Sequence, residues 1–244
     1  MIEDERGHID YDESGEGPTV VLVPGSCSTG AAWRPVVTQW AYGFRCVTTS
    51  LLGYGGTAER RTALDVDIAH EAEVIEAVIR RAASPVHLVG HSFGGLTALA
   101  VALRKRVPLL SLTIVEAPAL EILRSMGECR HYQVFREMTD AYFAAWPQRV
   151  RDYAAETTPV NLLDWESAYG FQLTPDLLAT VDISTLVFWG GDSHPTVQRA
   201  NALLGRCIPN AVVATVAGAA HFMISTHARE AARLISQHMT RARA

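Results

Sequence analysis

Six short runs rich in apolar and β-branched residues constrain this chain more than any other feature. They are residues 19–23, 46–49, 86–89, 112–115, 186–189 and 212–216. Few polar residues alternate within them, which suits strands covered on both faces. Between the runs, Ile68, Ala72, Ile75 and Ile79 recur at helical spacing within residues 64–82, with Glu71, Glu73 and Glu76 at other positions. Residues 92–105 form a small, apolar helical stretch, and residues 228–238 an amphipathic one. Strand and helix in alternation, with short connections, predict an α/β class with a mostly parallel central sheet flanked by helices. Near the start, residues 8–12 ahead of Gly15-Glu16-Gly17-Pro18 predict one antiparallel strand ending in a turn.

Composition narrows the function. Apolar types make up 48% of the 244 residues and charged types 19%, enough to bury a sizeable core and too apolar for a disordered chain. Twenty-one Lys and Arg against 26 Asp and Glu leave a net charge of −5, with no basic block to displace counterions from phosphates. A nucleic-acid partner is not expected, and no apolar run is long enough for a membrane span. The acidic opening, Met1-Ile2-Glu3-Asp4-Glu5, is unlike a secretory signal. Cys27, Cys46, Cys129 and Cys207 are widely spaced with no C-x-x-C pair, which predicts reduced thiols, a cytoplasmic location and no zinc site. The expected partner is a small molecule, the expected state a monomer or homodimer, and no cofactor is implied.

One segment interrupts the alternation. Residues 119–184 carry helical patterns and no convincing strand, with Thr174-Pro175-Asp176 as a helix start. They also hold nine aromatic residues: Tyr132, Phe135, Tyr142, Phe143, Trp146, Tyr153, Trp165, Tyr169 and Phe171. We therefore expect residues 1–118 and 185–244 to form the core, with 119–184 as a small helical cap insertion. Part of that cap would line an apolar pocket.

The chemistry concentrates at Gly90-His91-Ser92-Phe93-Gly94, between the strand at 86–89 and the helix after it. A serine hydroxyl attacks well only when exposed, aimed and next to a base. A tight strand-to-helix turn does the aiming but crowds the backbone, so Gly90 and Gly94 leave room by lacking side chains. Ser92 then sits at a helix N-terminus, where free N–H groups favour developing negative charge.

With this motif in that context, the chain resembles the α/β-hydrolase fold superfamily, in its capped, esterase-like form, from about His8 to His238. That resemblance implies the chain order nucleophile, acid, histidine, met here by Ser92, Asp192 and His221. Asp192 follows the strand at 186–189 through Gly190-Gly191, and His221 follows the strand at 212–216 through Ala217-Gly218-Ala219-Ala220. Glu116, at the end of the strand at 112–115, is the alternative acid, because some similar enzymes use that position. Asp192 could instead cap the helix near Pro195, or pair with His194 at a metal. His87 and His91 are expected to bond within the scaffold, and His70, His227 and His238 to lie on helical surfaces.

The resemblance also implies an oxyanion hole built from the N–H groups of Phe93 and Ser26. Pro24 stands where similar proteins usually carry histidine before Gly25. Ser50 stands where they more often carry aspartate, a change expected to alter loop anchoring rather than chemistry. Cys27, Trp146, Trp165 and Phe222 are candidate substrate contacts. The implied activity is hydrolysis of a small to medium, largely apolar ester through an acyl-enzyme. The alternatives are a carbon–carbon bond hydrolase or lyase, and a ligand-binding receptor with an intact triad. Phe222 stands where hydroxynitrile lyases carry lysine after the histidine, which disfavours the lyase.

Overall fold

The computed structural model describes residues 1–4, 7–40, 43–83, 85–128, 130, 133 and 148–242. Strands β1 (Ile2–Asp4) and β2 (Gly7–Ile9) form a small antiparallel ribbon. The main sheet contains β3 (Asp12–Ser14), β4 (Thr19–Val23), β5 (Arg45–Thr48), β6 (Val86–His91), β7 (Leu109–Val115), β8 (Thr185–Gly190) and β9 (Val212–Val216). Its order is β3-β5-β4-β6-β7-β8-β9. β3 runs antiparallel to β5, and every other neighbouring pair is parallel. The six apolar runs therefore form six strands of one mostly parallel α/β sheet.

The central strands β4, β6, β7 and β8 are buried on both faces, and their side chains divide by the two-residue period of a strand; the run at 212–216, expected to be covered on both faces, is instead an edge strand with Val212 48% and Val213 51% exposed. Val21, Val23, Leu88, Leu112, Ile114 and Val187 belong to one core cluster, whereas Val20, Leu22, Val89, Val115, Leu186 and Phe188 belong to another. The longer helices are α1 (Ala69–Arg81), α2 (Phe93–Arg104), α3 (Gln148–Glu156), α4 (Thr158–Gly170), α5 (Pro195–Cys207) and α6 (Ala228–Arg241). α1, α2 and α5 supply the first cluster, and α6 with Trp33 and Val36 supplies the second. Each fully buried Leu, Ile, Val or Phe contributes about 1.5–3 kcal/mol of transfer free energy, so sandwiching the sheet is what makes it stable.

Three expectations about elements need correction. The helix predicted from residue 64 begins at Ala69, because the Asp67 carboxylate accepts the Ala69 N–H at 2.8 Å and Thr62 and Asp65 bridge ahead of it. The single strand over 8–12 is divided between β2 and β3. Asp10 lies between them, its carboxylate taking the Ser50 hydroxyl at 2.8 Å and the Gly56 N–H at 2.9 Å. An acid from elsewhere in the chain thus anchors the loop where Ser50 replaces the usual aspartate. His238 is buried rather than on a helical surface, and it contacts the Ser184 carbonyl at 3.3 Å.

Between β7 and β8 the described residues carry helices and no strand. Thr174 caps the short helix Pro175–Leu178 by accepting the Leu177 N–H at 3.2 Å. α4 rests on the loop after β5, where Gly53 has φ +75° and a Cβ would meet the Val160 side chain at 2.7 Å. Tyr132, Phe135, Tyr142, Phe143 and Trp146 lie outside the described residues.

Candidate active site

β6 turns directly into α2 at Ser92, whose backbone takes φ 55° and ψ −128°. A residue with a side chain rarely adopts a positive φ, and such strain persists only where the surroundings enforce it. Here the Ser92 N–H donates to the Val115 carbonyl at 2.9 Å, while Gly95 N–H donates back to the Ser92 carbonyl at 2.8 Å. A Cβ on Gly90 would collide with the Gly94 backbone, and one on Gly94 would collide with the Pro24 carbonyl. The turn can therefore close only with glycine at both places.

His221 lies in the loop after β9 and reaches the serine. Its Nε2 is 3.0 Å from Ser92 Oγ, and its Nδ1 is 2.9 Å from Glu116 Oε1. A carboxylate can only accept, so Nδ1 carries the proton and Nε2 offers its lone pair to the serine hydroxyl. Beside it, burial and the neighbouring His221 drive His91 down to about 3. His91 is accordingly neutral, and its Nε2–H donates to the His221 carbonyl at 2.8 Å.

The acid is where expectation and structure part. Asp192 is exposed, its N–H donates to the Ala219 carbonyl at 2.9 Å, and its side chain forms no hydrogen bond among the described residues. Glu116 instead faces the imidazole from the end of β7, 1% exposed and at φ +48°. Its second oxygen accepts the Gly190 N–H at 2.9 Å and the Ser193 hydroxyl at 2.6 Å. Burial pushes the Glu116 carboxyl up, but the His221 imidazole and these two donors outweigh it and hold the carboxyl below its ordinary range. The loop holding Asp192 thus gives donors to the carboxylate rather than the carboxylate itself. His194 accepts the Thr196 N–H at 3.2 Å, capping α5. No group of three or more potential metal ligands occurs among the described residues.

Ser92 opens into a cavity of about 810 Å³ whose lining includes Ser26, Cys27, Phe93, Trp165 and Phe222. Trp165 stacks on Tyr169 with ring centroids 5.7 Å apart, and the Phe222 ring meets the His221 ring edge-on at 5.5 Å. Trp146 falls outside the described residues. Phe93 is the first residue of α2, so its N–H has no acceptor within the helix. The loop after β4 brings Ser26 alongside, Gly25 lying so close that a Cβ there would be 2.8 Å from Ser92 Cβ. Sequence reasoning did not single out Asp164, Tyr54 and Arg61. Asp164 lines the cavity while bound to the other two at 2.7 Å each.

Comparison with known proteins follows the same lines. A 93-residue stretch, 38% of this chain, is 36% identical to the pimeloyl-[acyl-carrier protein] methyl ester esterase of Aliivibrio salmonicida, and covers 33% of that protein. The chain thus matches only about a third of that curated relative's length. A thermophilic esterase from Thermogutta terrifontis superposes with a TM-score of 0.75 at 19% identity, over 98% of this chain and 96% of that one. A putative non-heme bromoperoxidase from Mycobacterium tuberculosis H37Rv superposes with a TM-score of 0.75 at 17% identity, over 97% of each chain. At such identities the superpositions speak to fold alone. No helix among the described residues is long and apolar enough to cross a membrane. The model of the alpha/beta hydrolase family matches residues 20–234, and the chain belongs to that family.

Proposed function

We propose that this protein is a serine hydrolase that cleaves a small to medium, largely apolar carboxylic ester through an acyl-enzyme. The contact chain from Ser92 Oγ to His221 Nε2 at 3.0 Å, and from Nδ1 to Glu116 at 2.9 Å, carries the reading. His221 takes the serine proton as Oγ bonds to the substrate carbonyl carbon, and Glu116 stabilises the imidazolium that results. The N–H groups of Ser26 and Phe93 receive the negative charge developing on the carbonyl oxygen. The imidazolium then protonates the departing alcohol. Water attacks the acyl-enzyme with His221 again as base, releasing the acid and restoring Ser92.

An ester, rather than another acyl derivative, is favoured by the methyl ester esterase similarity. The apolar substrate follows from a cavity bordered by Trp165 and Phe222. Residues 119–184 act as the cap over a core of 1–118 and 185–244, a reading supported by Tyr153, Asp164 and Trp165 on the cavity wall. Turnover of p-nitrophenyl esters from acetate to octanoate tests the proposal. Ser92→Ala should lower kcat by on the order of 10⁶; near-normal turnover in that variant would refute the assignment.

A further inference from the structure

Two cationic side chains on the cavity wall take no part in the reaction proposed above. Arg34 is the first residue of the short helix Arg34–Val37, after β4, and Arg149 lies in the first turn of α3. Both line the cavity and both are exposed, one contributed by the core and one by residues 119–184. Neither forms a hydrogen bond or ion pair among the described residues. Asp152, one turn on from Arg149, accepts instead from Gln148 Nε2 at 2.6 Å. Arg34 also borders a smaller cavity with Asp10 and Asp12 and pairs with neither. Arg45, Arg104, Arg124 and Arg199, by contrast, each pair with a carboxylate.

The acids of the same cavity are placed the other way. Glu116 and Asp164 are buried, at 1% and 2% exposure. Each already has partners: His221 at 2.9 Å for Glu116, and Arg61 and Tyr54 at 2.7 Å for Asp164. The cavity therefore holds its negative charge at buried positions and its unpaired positive charge at exposed ones. Pro118, Trp165, Val197 and Phe222 supply apolar wall.

We propose that the substrate ester carries an anionic group, a carboxylate or a phosphate, at the end remote from the scissile carbonyl, and that Arg34 and Arg149 bind it. The inference rests on the serine hydrolase reading and narrows its substrate class, keeping the apolar body of the ester and adding a charged terminus. A guanidinium suits this task because its planar fork of donors matches the oxygens of either anion. Exposed pairs are individually weak, so two cations approaching from opposite parts of the fold do what one would not. The buried acids set the orientation. Glu116 repels an anion from the neighbourhood of Ser92, so the ionised end stays with the arginines and the ester end reaches the hydroxyl. Charge arranged in this way selects among substrates and steers their approach.

The test compares methyl esters of matched length with and without a terminal charge. Monomethyl adipate, suberate and sebacate are set against methyl hexanoate, octanoate and decanoate, with methyl 7-phosphonooxyheptanoate as the phosphate arm. At low salt the best anionic ester should exceed its neutral counterpart in kcat/KM by about 10-fold, through a lower KM, and the advantage should shrink towards about 0.5 M NaCl. The stronger of the carboxylate and phosphate arms identifies the anion. Arg34→Gln and Arg149→Gln should each cut the anionic-to-neutral ratio about 3–10-fold, and Arg149→Glu should cut it further. Arg206→Gln removes an exposed charge on α5 away from the cavity and should leave the ratio as it is. Titration calorimetry with 8-amino-8-oxooctanoate and octanamide, whose amides resist cleavage, should show the same preference in binding without any turnover. A ratio near one in the parent protein, one that neither arginine variant lowers, or one that Arg206→Gln lowers equally would overturn the inference. Full turnover in Ser92→Ala would instead remove the hydrolase reading, with the calorimetric preference still standing.

Discussion

Glu116 reaches His221 from a neighbouring strand because its side chain is one methylene longer than aspartate and its backbone turns to φ +48°. Two donors, the Gly190 N–H and the Ser193 hydroxyl, fix its second oxygen. Glu116→Gln keeps the shape but loses the negative charge that stabilises the imidazolium, so kcat should fall about 10²–10⁴-fold, as in other triads. Asp192→Asn should change kcat/KM less than about 3-fold, because its exposed side chain touches neither imidazole nor cavity. Steady-state kinetics on one ester checks both. That Ser92 and His221 would lie together was legible, because glycine spacing and a loop after a strand mark their places. Which carboxylate would face the imidazole was not, since Glu116 and Asp192 both follow a strand and both satisfy the order nucleophile, acid, histidine. Only side-chain reach and the positions of two donors separate them.

At the scale of the element, α1 presents more than an apolar stripe to the core. Ile68, Ala72, Ile75 and Ile79 are buried as their spacing predicts, but Glu71 and Glu76 are buried too, at 0% and 1% exposure. Glu76 pairs with Arg104 at 2.7 Å, and Glu71 with Arg61 at 3.2 Å. These partners come from other elements, so periodicity within one helix cannot reveal them. Burial drives the Glu71 carboxyl up to about 8, against the pull of Arg61 and with the repulsion of Asp164 and Glu59. The folded protein therefore keeps a proton there that the unfolded chain gives up in the ordinary carboxylate range. Linkage makes this contribution to stability complete at low pH and lost as pH rises through about 8. From pH 6 to 9 the Tm should fall, and Glu71→Gln should fall less steeply in scanning fluorimetry. Parallel curves would contradict this ionisation. Asp164 is raised by burial in the same cluster, so some slope should persist.

For the molecule as a whole, the sheet holds two cores apart and brings their loops together at one edge. The parallel α/β architecture was legible because strands buried on both faces lack polar alternation. The strand order was not, because runs far apart in sequence become neighbours only once helices cover both faces. Phe188, fully buried on β8, joins the core beneath β9 and α6. Its carbonyl also accepts the Glu116 N–H at 2.8 Å. Phe188→Ala should cost about 3–5 kcal/mol in urea unfolding, with a further loss of kcat from loosening Glu116. The convergence of β6, β7 and the loop after β9 on one reactive hydroxyl is most directly tested by mass spectrometry of peptides after fluorophosphonate treatment. The account predicts a single adduct on Ser92, formed slowly in Glu116→Gln, at the normal rate in Asp192→Asn, and scarcely at all in His221→Ala. An adduct elsewhere, or undiminished Ser92 labelling in His221→Ala, would contradict it.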